Sequence, residues 1–281
     1  MTQQKGGPFM RVFEVDPLPD TNAVLQVFLR ERAYEYLIHD HRPLVIVIPG
    51  GGYEFLADRE AEPIALAFLQ AGYQVCVLRY TIREDKNAPP LGNAPLIEAA
   101  QAVIYAREHA AEWGVDPNRI TVCGCSAGGH LAASLGVHWN NPAVNSLAGS
   151  ACRPNAMLLC YAVVSAGSKT HGGSFENLTG HAPALPGDAL WSMETQVTDD
   201  TCPAFIWHTV ADDVVPVENA LLMAEAMQRH KRPYALHLFT HGDHSLSIGD
   251  HEVGRAEDGG AWVSLALKWL DSMGLGAEKR C

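Results

Sequence analysis

The chain has 281 residues, 47% of them hydrophobic and 19% charged, which suits one large globular domain or two small ones with well-buried cores. A formal net charge of -12 argues against nucleic acid and anionic membrane surfaces as partners and favours a neutral ligand. Residues 1–10 lack the apolar core of a signal peptide and no later run reaches spanning length, so a cytoplasmic protein with no membrane partner is expected. The seven cysteines (Cys76, Cys123, Cys125, Cys152, Cys160, Cys202 and Cys281) form an odd set, several inside apolar runs, as reduced thiols packed like small hydrophobes would be.

Residues 11–15 and 24–30 read as two strands of an antiparallel edge, parted by the turn-forming Asp16-Pro17-Leu18-Pro19-Asp20. His39 and His41 alternate as two ligands on a strand face would, but no third ligand lies nearby and a solvated loop is expected. Residues 44–48 are continuously apolar and mostly β-branched, as a strand covered on both faces must be. That run stops at Pro49-Gly50-Gly51-Gly52-Tyr53, whose glycines let the backbone approach a ligand and turn N–H groups inward. A flexible connector is the bland reading; a phosphate cradle would need a Lys-Ser or Lys-Thr that is missing.

A helix is predicted over 59–71, with Pro63 in its first turn and Gly72 at its stop, then a strand over 73–78. Pro95 opens a long helix that runs to Trp113, and Asp116-Pro117-Asn118 turns the chain into the next strand. That strand breaks at Gly124-Cys125-Ser126-Ala127-Gly128 and resumes as a helix from Leu131. An ordinary glycine-rich turn is the alternative, but strand, sharp turn and helix in this order read as a nucleophile elbow, in which Ser126 would take a strained backbone conformation, Gly124 and Gly128 would leave room for it, and the Ala127 N–H would point where an oxyanion forms. The glycine loop at 50–52 then stands where such hydrolases draw a second oxyanion donor.

A strand over 157–161 precedes a long segment, 164–201, rich in Gly, Ser, His and Pro, whose one short helical candidate is Leu190-Trp191-Ser192-Met193; it reads as a small irregular lid. Phe175, Leu178, Leu185, Leu190, Trp191 and Met193 are its scattered apolar residues, too few to build a cap for a long acyl chain. A strand over 204–208, a helix over 217–230, a strand over 234–239 and a helix over 261–270 complete the chain. Short connections between alternating strands and helices, with no linker, predict a single α/β domain over 1–281.

A serine hydroxyl needs a base to take its proton, and the base needs a carboxylate to fix its tautomer. Ser126, Asp212 and His244 occur in the order expected after an elbow, each just beyond a predicted strand and so at one sheet edge. Asp213 and His241 are the rivals for acid and base; His130 reads as a packed structural histidine and His208 as a support for the acid loop. Cys123, Cys125 and His130 can be drawn as a zinc half-site, but the elbow explains their spacing without metal. Tyr53 and Trp191 either line the site and bind substrate or belong to the core.

These blocks, Pro49-Gly50-Gly51-Gly52-Tyr53, the stretch from Gly124 to Ala133, the stretch from His208 to Pro216, and Gly242-Asp243-His244, closely resemble the α/β-hydrolase superfamily, in particular its small bacterial acetyl-xylan-esterase-like serine esterases. The resemblance implies an α/β-hydrolase fold with a mostly parallel eight-stranded sheet, Ser126 as nucleophile, Asp212 as acid and His244 as base. Gly51, Gly52 and Ala127 would form the oxyanion hole. No cofactor or metal is implied, and the substrate would be a small-molecule or oligosaccharide ester such as an acetylated xylo-oligosaccharide. Cys125, where related sequences often carry an aromatic residue, and Pro49, in place of their His, are departures that bear on substrate choice. An amidase, formamidase or small peptidase using the same three residues is the alternative, and a non-catalytic binding protein the other class.

Overall fold

Leu44, Ile46 and Ile48 pack into one apolar cluster and Val45 and Val47 into another, on opposite faces of the same strand. Alternation of side chains along a strand makes both sets necessary when helices cover both faces, which is why this run is apolar without interruption. The strand is β3 (Arg42–Ile48) of a computed structural model that describes residues 10–31, 41–142, 144, 149–183, 186–250 and 258–277. Residues 1–9, His39, Asp40, Leu185 and Cys281 lie outside the described residues.

Eight strands form one sheet in the order β1-β2-β4-β3-β5-β6-β7-β8. β1 (Met10–Val15) pairs antiparallel with β2 (Val24–Arg30), and β2 antiparallel with β4 (Gln74–Arg79). The remaining pairs are parallel and involve β5 (Val115–Cys125), β6 (Ala156–Cys160), β7 (Ala204–Thr209) and β8 (Tyr234–Phe239). This is the mostly parallel eight-stranded α/β sheet that the sequence predicts. One face carries α2 (Ala94–Glu108), α4 (Ser126–His138) and α7 (Glu218–Arg229), which contribute Val103, Leu131 and Met223 to the larger cluster. The other face carries α1 (Glu62–Gln70) and α8 (Trp262–Ser272), through Phe68, Trp262 and Leu270.

Three expectations are corrected. The long helix breaks at His109, and α3 (Ala110–Trp113) is separate. Asp116-Pro117-Asn118 lies inside β5 rather than before it: Arg42 pairs with Val115 but Leu44 with Ile120, so the turn residues are extra chain bulged out of the ladder. The segment 164–201 holds more helix than its composition suggests. α5 (Gly172–Thr179), a 3-10 turn at Pro186–Trp191 and α6 (Met193–Gln196) occur in it. Phe175, Leu178 and Met193 are buried and anchor it to the body of the molecule.

Candidate active site

β5 ends at Cys125 and α4 begins at Ser126 with no intervening loop, and Ser126 takes φ 53°, in the left-handed region that side chains disfavour. The flanking glycines are obligatory. A Cβ on Gly124 would stand 2.1 Å from the Gly128 carbonyl oxygen, and one on Gly128 would stand 2.1 Å from that of Ile48. Strand and helix therefore touch through bare backbone, which holds the serine in its strained turn.

β7 and β8 end at the same sheet edge, and the loops after them bring Asp212 and His244 to the serine. His244 Nε2 lies 2.8 Å from Ser126 Oγ, and His244 Nδ1 lies 2.7 Å from Asp212 Oδ2. A carboxylate can only accept, so His244 Nδ1–H donates and Nε2 is left to accept the serine proton. Asp212 Oδ1 accepts from the backbone N–H groups of Val214 (3.0 Å) and Val215 (2.9 Å), which fixes the carboxylate's orientation. Burial alone would raise the Asp212 pKa, but hydrogen bonds from His208 and His244 and the Val215 N–H outweigh it and hold the group well below the ordinary carboxylate value. His208 supports the acid: its Nε2 stands 3.1 Å from Asp212 Oδ2 and 2.9 Å from the Val215 carbonyl. Asp213 is exposed, and His241 lies at the surface, 3.6 Å from Asp258.

Glu60 was not singled out by its sequence, where it reads as an acidic residue in the first turn of a helix. It is wholly buried instead, on a 3-10 turn before α1, and it ties three parts of the site together. Oε2 accepts the Gly50 N–H at 2.8 Å, and Oε1 accepts the Tyr161 hydroxyl at 3.0 Å and the hydroxyl of Ser245, the neighbour of His244. The Tyr161 ring packs edge-on against the His244 ring at 5.2 Å. Asn177, buried on α5, donates to the Gly52 carbonyl at 2.9 Å and so fixes the glycine loop from the other side.

A cavity of about 490 Å³ opens over Ser126 and His244, with Gly51, Gly52, Phe55, His171 and Val214 among its walls. His171, also unmarked in the sequence, accepts at Nδ1 from the Ser174 N–H that begins α5, which leaves Nε2 protonated. Burial, the neighbouring His244 and, in the opposite sense, Asp212 leave the His171 pKa lowered. Ala127 is fully buried, directly after the serine.

Tyr53 and Trp191 do not join the cavity. Tyr53 is buried and its hydroxyl donates to His130 Nδ1 at 2.8 Å, while His130 Nε2–H donates to the Trp191 carbonyl at 3.0 Å. Trp191 is packed against the core with its ring 6.3 Å from His130. An aromatic residue beside a glycine loop suits wall and core equally by composition; here the buried imidazole needed a hydroxyl partner, and Tyr53 was drawn inward to supply it. Cys125 and Cys160 are buried thiols whose pKa burial pushes up, the behaviour of packing residues.

A mostly parallel eight-stranded sheet, with a Ser-His-Asp hydrogen-bonded chain at the carboxyl edge of its strands, defines an α/β hydrolase. The model of the BD-FAE family matches residues 25–227, and the chain belongs to that family. Its fold resembles the crystal structure of an acetyl ester-xyloside bifunctional hydrolase from Caldicellulosiruptor lactoaceticus, with a TM-score of 0.78, 34% identity, and 93% of this chain and 92% of the other covered. Endo-1,4-beta-xylanase B of Butyrivibrio fibrisolvens is 36% identical over 82% of this chain, and an acetylxylan esterase of Xylanibacter ruminicola is 27% identical over 73%. The chain spans 36% and 41% of the length of these two relatives.

Proposed function

We propose that this chain is a serine esterase that removes small acyl groups, acetyl foremost, from the hydroxyls of a carbohydrate such as a xylo-oligosaccharide, and that it acts as a single domain. The observation that carries the reading is the chain of hydrogen bonds from Ser126 Oγ through His244 to Asp212, at 2.8 and 2.7 Å, opening into a ligand-sized cavity. The class, a carboxylic ester hydrolase, is supported by the esterase relatives.

In this reading Ser126 Oγ attacks the ester carbonyl carbon as its proton passes to His244 Nε2. The resulting imidazolium is stabilised by Asp212, which the Val214 and Val215 N–H groups keep ionised and in place. The negative charge on the carbonyl oxygen is met by backbone N–H groups of Gly51, Gly52 and Ala127, the last at the positive end of α4. His244 then returns the proton to the departing sugar hydroxyl, and water repeats the sequence on the acyl-serine. The choice of a small acyl group is supported by the absence, among the described residues, of a long apolar channel built from the 164–201 segment. Its apolar residues Phe175, Leu178 and Met193 are spent in the core, and the apolar side chains that do line the cavity, Phe55, Leu56, Ala57 and Val214, come from other loops.

Two measurements test this. A serine-directed phosphonate should label Ser126, as read by peptide mass. Catalytic efficiency should fall from acetyl through butyryl to octanoyl esters, with acetate released from acetylated xylo-oligosaccharides. An octanoyl preference, or rapid cleavage of a formamide with no acetate from any acetylated sugar, overturns the assignment.

A further inference from the structure

A second cavity, of about 590 Å³, lies beside the first and is lined by Asn22, Leu56, Arg79 and Glu84 among others. Removal of an acetyl group has no use for it. The two adjoin: Leu56 lines both, and Asp58, on the first, forms an ion pair with Arg79, on the second, at 3.7 Å. An exposed ion pair at that separation, too long for a hydrogen bond, is weakly held, so a ligand can compete for both polar heads. On the rim of the first cavity stands Phe55, 58% exposed although it is a large hydrophobe. Its backbone is held in a tight turn, with its N–H on the Gly51 carbonyl at 3.1 Å, which fixes where on the rim the side chain starts.

A flat apolar ring at a cleft rim, followed by planar polar side chains of both signs, matches a neutral ligand that alternates apolar ring faces with hydroxyl edges. A chain of pyranose units has that character. A fatty chain would lay hydrocarbon over the charged heads of Arg79, Asp58 and Glu84 and displace their water, and an anion would meet Asp58 and Glu84.

We infer that the two cavities form one oligosaccharide groove, in which the acylated sugar stacks on Phe55 over Ser126 and the adjoining sugar units lie along Arg79. This rests on the esterase reading and adds to it that the enzyme measures chain length on the leaving-group side. Filling the second cavity strengthens binding of the polymer's transition state without altering the reacting ester, so kcat/KM should rise with each unit until the groove is full.

The experiment compares acetylated xylose with acetylated xylotetraose, reading acetate release, with 4-nitrophenyl acetate as a third substrate. The wild type should show a tetramer-to-monomer ratio of kcat/KM of roughly ten, the scale of one or two modest polar or stacking contacts. In Arg79→Ala the ratio should fall to about one, while Phe55→Ala should lower kcat/KM on both sugars and Phe55→Tyr should restore it. The ratio is internal to each protein and so is readable at any residual activity. A wild-type ratio of about one, or a ratio that survives in Arg79→Ala, overturns the groove. Failure of the wild type to cleave 4-nitrophenyl acetate overturns the esterase reading itself, which separates the two.

Discussion

Ser126 is the residue on which strain, burial and hydrogen bonding converge. Ser126→Ala removes the attacking oxygen while leaving the backbone free to keep its turn, so turnover should fall on the order of a million-fold with the fold retained by circular dichroism. Near-normal turnover in the purified variant would reject Ser126 as nucleophile. Asp212 and Asp213 differ in environment though not in chemistry: one accepts from His244 and two backbone N–H groups, the other faces solvent. Asp212→Asn should therefore cost roughly ten-thousand-fold in kcat, by analogy with loss of the orienting carboxylate in a serine protease, and Asp213→Asn little. The reverse ranking in steady-state kinetics would move the acid to Asp213. Glu60 acts at one remove, as a positioning residue. Glu60→Gln sets an amide N–H₂ against at least one of the donors it now satisfies, a clash worth about 1–3 kcal/mol. Since those donors hold the glycine loop and the His244 loop, kcat should fall about tenfold or more with KM near its original value. A change in KM alone, or restoration of neither parameter by the wild-type side chain in a revertant, would remove Glu60 from that role.

At the scale of elements, the parallel strands were legible because burial on both faces leaves an apolar signature that needs no partner to interpret, as at 44–48. The elbow was legible because close approach of strand and helix demands glycine at two fixed positions. Ser126, Asp212 and His244 followed, since each stands just past a strand and parallel strands end at one edge. What escaped was whatever depended on a partner distant in sequence. Gly172–Thr179 reads as loop because Gly, Ser, Asn and Thr are poor helix formers, yet burial of Phe175 and Leu178 outweighs propensity. Glu60 looks solvated until Gly50, Tyr161 and Ser245 are brought to it, and Tyr53 looks like a site wall until His130 claims its hydroxyl. Asn177 shows what the unread helix does: it holds the Gly52 carbonyl, so α5 braces the glycine loop instead of merely covering it. Asn177→Ala should lower kcat by about tenfold, the scale of one lost buried hydrogen bond, with a modest loss of thermal stability. Unchanged kcat beside the same loss of stability would show that α5 stabilises the fold without positioning the loop.

At the scale of the whole molecule, the buried histidines predict an acid sensitivity beyond that of the catalytic carboxylate. His130 is 1% exposed, neutral, and committed at both nitrogens, to the Tyr53 hydroxyl and the Trp191 carbonyl. Burial, only partly offset by the Trp191 carbonyl, lowers its pKa to about 4. In the unfolded chain an imidazole titrates near 6.5, so between about pH 6.5 and about 4 the unfolded state binds the extra proton and the folded state refuses it. Stability therefore falls as pH drops through this window, by on the order of 3 kcal/mol from His130 alone. His138 and His171, whose pKa values burial also lowers, steepen the same slope. Asp212 works in a lower range: its depressed pKa supports the fold above the ordinary carboxylate value, and that support is lost only as the pH falls further. The two contributions thus add in sequence on acidification, histidines first. Denaturant unfolding of the wild type at pH 7, 5.5 and 4 should show the loss beginning above the carboxylate range. His130→Gln removes the titrating group and keeps polar atoms for Tyr53 and Trp191. It should be less stable at pH 7 yet lose less stability between pH 7 and 4, by about 3 kcal/mol. Parallel curves for the two proteins would show that protonation of this buried histidine does not limit the acid stability of the fold.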